Sequence, residues 1–171
     1  MTQHTMKKTS GFWSKEEQNL QINVLDLKTC EIALHSFCKK ITDVHVRMYS
    51  DNTTSCAYIN KYGGRIFSLD SIARRIWFWC IERNNNLTAT HIPGKINIET
   101  DRLSRTGNDD LEWALDQTIF NMLHEKFPDM SIDLFASRLN AKLQSYVSRY
   151  PEPHAFDVGA FSFQWNTDVL Y

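Results

Sequence analysis

The sequence has little of what marks secreted, membrane or disordered proteins. It contains no run of roughly eighteen apolar residues, and its first residues lack the apolar stretch of a signal peptide. Its four cysteines stand far apart without a CxxC or Cys/His cluster, which argues against a zinc site or a disulfide framework. Prolines and glycines are few, whereas 42% of the residues are hydrophobic. We therefore expect a soluble intracellular protein, cytoplasmic or nuclear, with reduced cysteines in its core.

The charge is distributed unevenly along the chain although the net charge is only -1. Residues 1–105 hold 15 Lys/Arg against 10 Asp/Glu, whereas residues 106–171 hold 4 against 10. This asymmetry favours an N-terminal part that contacts a polyanion. Ordinary surface charge explains the same numbers.

The spacing of apolar residues predicts an α/β fold. Apolar side chains recur in steps of three and four over residues 24–41, which indicates an amphipathic helix, and they alternate with polar ones in two segments, which indicates strands. The predicted order is helix 24–41, strand 44–49, helix 53–62, a helix capped by Ser68, strand 87–92, and a short helix from an Asn97 cap to Ser104. Strands joined through helices are typical of layered α/β domains.

The chain ends in a segment of different character. Residues 105–110 are typical of a linker, residues 111–127 are expected to be helical, and residues 132–165 mix short apolar pieces with Pro and Gly. We therefore expect a disordered tail over residues 1–10, a folded domain over 11–105, and a small α-rich or irregular C-terminal extension over 106–171.

Three carboxylates occupy positions that suit a shared site. Asp26 lies in an apolar context near the start of the first helix, Asp51 follows a strand, and Asp101 lies near the start of the last helix. Strand ends and helix starts meet at one edge of an α/β sheet, and carboxylates gathered there favour Mg²⁺ or Mn²⁺. Two such ions catalyse phosphodiester hydrolysis without a histidine nucleophile. Taken singly, each Asp is also explained as a helix-start or turn residue.

Basic and aromatic residues suggest contacts to nucleic acid. Cationic side chains near the third helix could bind a phosphate backbone, and His91 at a strand end could position a phosphate. A solvated helix face and a histidine paired with backbone are the alternatives. Three consecutive aromatic residues, 77–79, wrap round that helix, so one of them is available for stacking on a base or for packing against another domain.

Several short strings together resemble, in order, the RNase H region of DIRS-like retrotransposon polyproteins. They are residues 12–17 (FWSKEE), 22–27 (INVLDL), 50–54 (SDNTT), 58–64 (YINKYGG), 76–80 (IWFWC), 91–97 (HIPGKIN) and 101–105 (DRLSR). Residues 133–140 (DLFASRLN) and 146–148 (YVS) are similar to the stretch that follows in those elements. The resemblance covers roughly residues 11–165, and each string is weak alone.

This resemblance implies a ribonuclease H-like mixed sheet with flanking helices, next to a reverse transcriptase in the parent polyprotein. It implies Mg²⁺- or Mn²⁺-dependent hydrolysis of the RNA strand of RNA–DNA hybrids. The residues that match the metal-binding and catalytic positions are Asp26, Asp51 and Asp101. Those expected to contact nucleic acid are Asn52, Lys61, Arg74, Arg75 and His91.

The sequence departs from the family pattern in three places. Asp26 stands where the family has a helix glutamate, and Thr100 stands where it has alanine before the last aspartate. The family's first strand supplies a metal-bridging aspartate, but no Asp precedes Asp26 here. We therefore expect the first strands to be missing, as in a fragment of a longer element, and cleavage to be weak or absent. A non-catalytic nucleic-acid-binding or scaffold domain and an inactive transposon remnant are the alternatives.

Overall fold

The computed structural model describes residues 9, 11–94 and 113–162. Two compact units make up the chain: an N-terminal unit, Trp13–Thr106, and a C-terminal unit, Gly107–Tyr171 together with Met1–Phe12. Each unit combines helices with short parallel strands, so the expected α/β class is confirmed. Within the described ranges, no helix has both the length and the apolar character needed to cross a membrane.

The N-terminal unit follows the predicted order of elements. After a short 3-10 turn it contains α1 (Ile22–Cys38), β1 (His45–Ser50), α2 (Thr53–Asn60), α3 (Phe67–Glu82) and β2 (Asn86–His91). The predicted short helix from Asn97 to Ser104 lies outside the described residues.

One predicted cap is wrong. Helix α3 begins at Phe67, and Ile66 occupies the N-cap position without a side-chain hydrogen bond, so Ser68 already lies inside the helix. The preceding loop is held by other groups: the Tyr58 hydroxyl accepts from the Ile66 amide, and the Asp70 carboxylate accepts from the Gly64 amide. These contacts place the start of the helix one residue before Ser68.

The core of the N-terminal unit lies between the helices and one face of the sheet. The predicted stripe of α1 is buried at Val24, Leu27, Cys30 and Leu34, and it packs with buried residues of the other elements, among them Ile59, Leu69, Ile76, Cys80 and Leu87. Full burial of one large apolar side chain contributes about 1.5–3 kcal/mol. Cys30, Cys56 and Cys80 are buried free thiols, which confirms their expected place in the core.

The two strands of this unit run parallel and end at the same edge. Their register runs from His45 opposite Asn86 to Ser50 opposite His91. The outer edge of β2 is closed by Asn60 at the end of α2, whose side-chain amide donates to the Ala89 carbonyl (2.7 Å) and accepts from the Ala89 N–H (2.8 Å). Along its other edge, β1 has no strand partner among the described residues.

The C-terminal unit has more strand than its sequence indicates. It contains α4 (Gln117–Lys126) and a three-stranded parallel sheet in the order β3 (Ile132–Asp133), β4 (Ser145–Ser148) and β5 (Asp157–Val158). The sequence predicted an α-rich or irregular extension without these strands, because strands this short show no alternating pattern. Helix α4 begins later than predicted since the Asp116 side chain caps it, accepting from the Thr118 amide at 2.8 Å.

Candidate metal and nucleic-acid site

The candidate site begins where β1 gives way to α2. Asp51 follows the last strand residue and is exposed, and Asn52 is the N-cap of α2. The Asn52 side-chain oxygen accepts from the Ser55 amide at 3.0 Å, while its own backbone N–H donates to the Ser50 hydroxyl at 3.1 Å. An asparagine at this position satisfies an N–H group that the first helical turn leaves free. Asn52 is therefore held firmly in place.

The same asparagine joins α1 to the strand end. Its side-chain nitrogen donates to Asp26 Oδ2 at 2.6 Å and to Asn23 Oδ1 at 2.9 Å. Every hydrogen-bonding group of this amide is then used: the oxygen by the cap, and the two N–H groups by α1. The structure thus brings Asp26 and the residue next to Asp51 into direct contact.

Asn23 is a member of this cluster that the sequence did not single out. It lies three residues before Asp26, so both side chains project from the same side of α1. That spacing was the available signal, but nothing local shows that an asparagine of another element meets them.

The end of β2 borders the site on its other side. The Ile92 amide donates to the Ser50 carbonyl at 2.9 Å, and the exposed His91 lies opposite Ser50 in the sheet. A Cβ atom added to Gly94 would lie 3.5 Å from Asp51 Oδ2, so the turn after β2 passes close to this carboxylate. A methyl group at Gly94 would make an ordinary van der Waals contact with it.

The buried thiol of Cys30 is influenced electrostatically by both Asp26 and Asp51. The pKa of Cys30 is raised to about 12, mostly by burial and further by the neighbouring charges of Cys56, Asp26 and Asp51. Asp26 and Asp51 come from different elements, yet both add to the negative potential at one buried sulfur. The predicted clustering of these two aspartates is consistent with this.

Two of the three expected metal ligands, Asp26 and Asp51, lie among the described residues. Asp26 and Asp51 offer carboxylate oxygens, and Mg²⁺ commonly binds through one or two carboxylates while keeping several waters. No group of three or more His, Cys, Asp or Glu side chains suited to a metal is found within residues 11–94 and 113–162. Asp101, the third expected ligand, lies outside the described residues. The donor set thus fits a hard cation held mainly by carboxylate and water.

The predicted nucleic-acid contacts fall into separate places. Arg75 forms two hydrogen bonds of 2.7 Å to the buried Glu31 of α1, which raises the pKa of the arginine. Arg75 therefore joins α3 to α1 through this ion pair. Arg74 pairs with Asp70 one turn earlier at 2.7 Å, and its side chain remains 68% exposed. Lys61 is exposed at the far end of α2 and has no ion pair within the described part of the chain.

Comparison with known proteins does not identify a family for this chain. No protein-family model matches this chain, and neither the curated proteins nor the solved structures contain a match to it. The functional interpretation therefore depends on the residues themselves.

Proposed function

We propose that the N-terminal unit is an RNase H-type nucleic-acid domain derived from a DIRS-like retroelement. In this proposal Asp26, Asp51 and Asp101 hold Mg²⁺ or Mn²⁺ beside the phosphate backbone of an RNA–DNA hybrid. The observation that supports it is the hydrogen bond from Asn52 to Asp26, which brings Asp26 to the end of β1, beside the residue that follows Asp51. Such strand ends are where α/β domains place their ligands.

The side chains of the site have distinct tasks under this proposal. Asn52 holds the Asp26 carboxylate toward β1, and the exposed Asp51 presents its oxygens to solvent and to an approaching phosphate. His91 and the adjacent turn, which passes Asp51 at Gly94, border the space that a phosphate would enter. The metal, when bound, supplies an activated water and stabilises the leaving oxygen.

Catalysis by this chain is expected to be weak. No Asp precedes Asp26 in the sequence, so the bridging aspartate of the resembled family has no counterpart here. Asp26 is also one methylene shorter than the family's glutamate. Hybrid binding and weak cation binding do not need the bridging ligand, so both are expected to remain.

Hybrid binding and cleavage with Mg²⁺ and Mn²⁺ test the proposal, using a fluorescent RNA–DNA hybrid and the full chain. We expect the cation to strengthen hybrid binding and the Asp51→Asn substitution to abolish that effect. Asp43→Asn is the matched control, since Asp43 is an exposed aspartate near the opposite end of β1 that contacts Asn84. An equal cation effect in the wild type and in Asp51→Asn would refute the metal site, and rapid cleavage by the wild type would refute the expected loss of catalysis.

A non-catalytic nucleic-acid-binding domain is the second candidate. It is favoured by the complete use of the Asn52 amide, which holds Asp26 through a hydrogen bond rather than through a cation. The same titrations separate the two functions. A purely structural carboxylate cluster gives hybrid binding that depends on monovalent salt but not on Mg²⁺ or on Asp51.

A further inference from the structure

An open groove lies at the far end of α2 from Asn52. It is lined by Tyr62, Arg74, Trp77, Phe78 and Ile81, and it has a volume of about 390 Å³. Tyr62, Phe78 and Ile81 are each about two-thirds exposed, at 63%, 65% and 66%. The eight residues of α2 separate this aromatic groove from Asn52 by about 12 Å along the helix. It is therefore distinct from the carboxylate cluster.

Two of the three aromatic rings of the groove, those of Tyr62 and Trp77, are held in place. The Trp77 indole donates to the Ile59 carbonyl at 2.9 Å, and the Tyr62 ring lies with its centroid 4.0 Å from that of Trp77, tilted by 40°. Tyr62 itself has φ of 59°, a left-handed conformation that glycine or asparagine adopts more easily. The backbone conformation of the turn therefore does not explain a tyrosine at this position. The ring does explain it, because the ring packs against Trp77 and is open to solvent.

Three cationic side chains lie on or next to the segments that carry these rings. Lys61 and Arg65 are exposed on the loop that carries Tyr62, and no ion pair involves either among the described residues. Arg74 in the wall of the groove meets Asp70 through its Nε atom, while most of its side chain stays exposed. Flat rings bordered by cations suit a ligand that has flat faces and negative charge together.

We propose that the aromatic groove binds an unpaired nucleotide of single-stranded nucleic acid. The base stacks on Tyr62 and Phe78, and the flanking phosphates meet Lys61, Arg65 and Arg74. A partner helix with an apolar face would cover the groove but would provide no negative charge for the three cations. The inference deepens the proposed function by adding a second contact to nucleic acid, and it does not depend on the carboxylates.

Fluorescence anisotropy with a labelled twelve-nucleotide oligo(dT) tests the groove, using the full chain in EDTA. Tyr62→Asn removes the ring but suits the left-handed backbone, and we expect it to weaken binding about 5- to 150-fold, the range provided by stacking of one base. Phe78→Ala, at an exposed helix position, should weaken binding in the same way. Tyr62→Phe should bind within about twofold of wild type. Lys61→Gln should lower the salt dependence by about one phosphate contact.

The matched control is Phe67→Asn, because Phe67 is 87% exposed in the same unit but does not line the groove. It should bind like the wild type. Unchanged affinity in both Tyr62→Asn and Phe78→Ala would overturn the proposal. So would a wild-type dimer that either substitution dissociates without changing oligonucleotide affinity, since the groove would then be a protein interface.

The absence of divalent metal keeps this test separate from that of the carboxylate site. An equal cation effect on hybrid binding in the wild type and in Asp51→Asn would refute the carboxylate site alone. Insensitivity of oligo(dT) binding to Tyr62 and Phe78 would refute the groove alone.

Discussion

Replacing Asn52 by aspartate keeps the cap of α2 but places a second carboxylate against Asp26. Asp accepts from the Ser55 amide as well as Asn does, so the cap itself changes little. The donated bond to Asp26 Oδ2, 2.6 Å in length, is lost, and a hydrogen bond to a charged group contributes about 1.5–3 kcal/mol. The substitution therefore removes both bonds that the Asn52 amide donates, to Asp26 and to Asn23, while it preserves the cap.

Repulsion between the two carboxylates adds to this loss. Two like charges about 4 Å apart repel by about 1 kcal/mol in water and about 4 kcal/mol in a protein surface environment. Both positions are half-buried, so we expect Asn52→Asp to lower the free energy of unfolding by about 4 kcal/mol in total at neutral pH. Urea unfolding followed by Trp fluorescence measures this, because Trp77 and Trp79 pack against the core of the unit.

The pH dependence of this variant has a definite sign. Repulsion raises the pKa of the carboxylate pair in the folded state above the unfolded value of about 4. The folded variant then binds more protons than the unfolded chain, so the lost stability returns as pH falls through the raised pKa. Addition of Mg²⁺ at neutral pH should recover part of it by binding only the folded form.

The double variant Asp26→Asn/Asn52→Asp is the decisive control. It reverses the donor and the acceptor across the same contact and leaves one charge, so it should recover most of the stability lost in Asn52→Asp. If Asn52→Asp costs as much in the Asp26→Asn background as in the wild type, then the two residues are not coupled. The hydrogen bond between Asn52 and Asp26 would then make no contribution to stability, and the structure of the candidate site would be refuted.

Three further predictions concern other parts of the N-terminal unit. Glu31→Gln weakens the paired hydrogen bonds to Arg75 and should lower the free energy of unfolding by about 1–2 kcal/mol. The loss is smaller than for a fully buried pair because Arg75 is half-exposed. Unchanged stability in urea would contradict the role of this pair in joining α1 to α3. Asn60→Ala exposes the edge of β2 and should lower the free energy of unfolding by about 1–2 kcal/mol. Hydrogen exchange at the Ala89 amide should become faster. Unaltered exchange at this amide would show that other groups protect the edge. Burial raises the pKa of Cys30 to about 12, so the folded protein should lose stability as pH rises from about 9 to 12. Cys30→Ala should reduce that loss, and an equal alkaline loss in the variant would assign it to other groups.

The sequence predicted the N-terminal unit better than the C-terminal one, and the reason is the length of its elements. α1 and α3 are long enough for their apolar positions to repeat several times, and β1 and β2 each alternate over six residues. β3 and β5 contain two residues each, too few to show any period. Their presence depends on pairing with β4, which no local pattern encodes.

The candidate site divides in the same way. That Asp51 follows a strand and that Asp26 lies in the first turns of a helix are consequences of local periodicity. Asn52 as a cap is likewise a local matter, because its partner Ser55 is three residues away. The RNase H-type function, the metal and the role of Asp101 stay predictions.

The sequence by itself determined which segments become helices and strands and which of their faces are apolar, because these depend on neighbours within one or two turns. Only the tertiary structure decided which polar side chains meet. The contacts of Asn52 with Asp26, Arg75 with Glu31 and Asn60 with Ala89 join residues 26, 44 and 29 positions apart. Each depends on how an α1, α2 or α3 face packs against its neighbour, a property of the whole core that no short stretch of sequence contains.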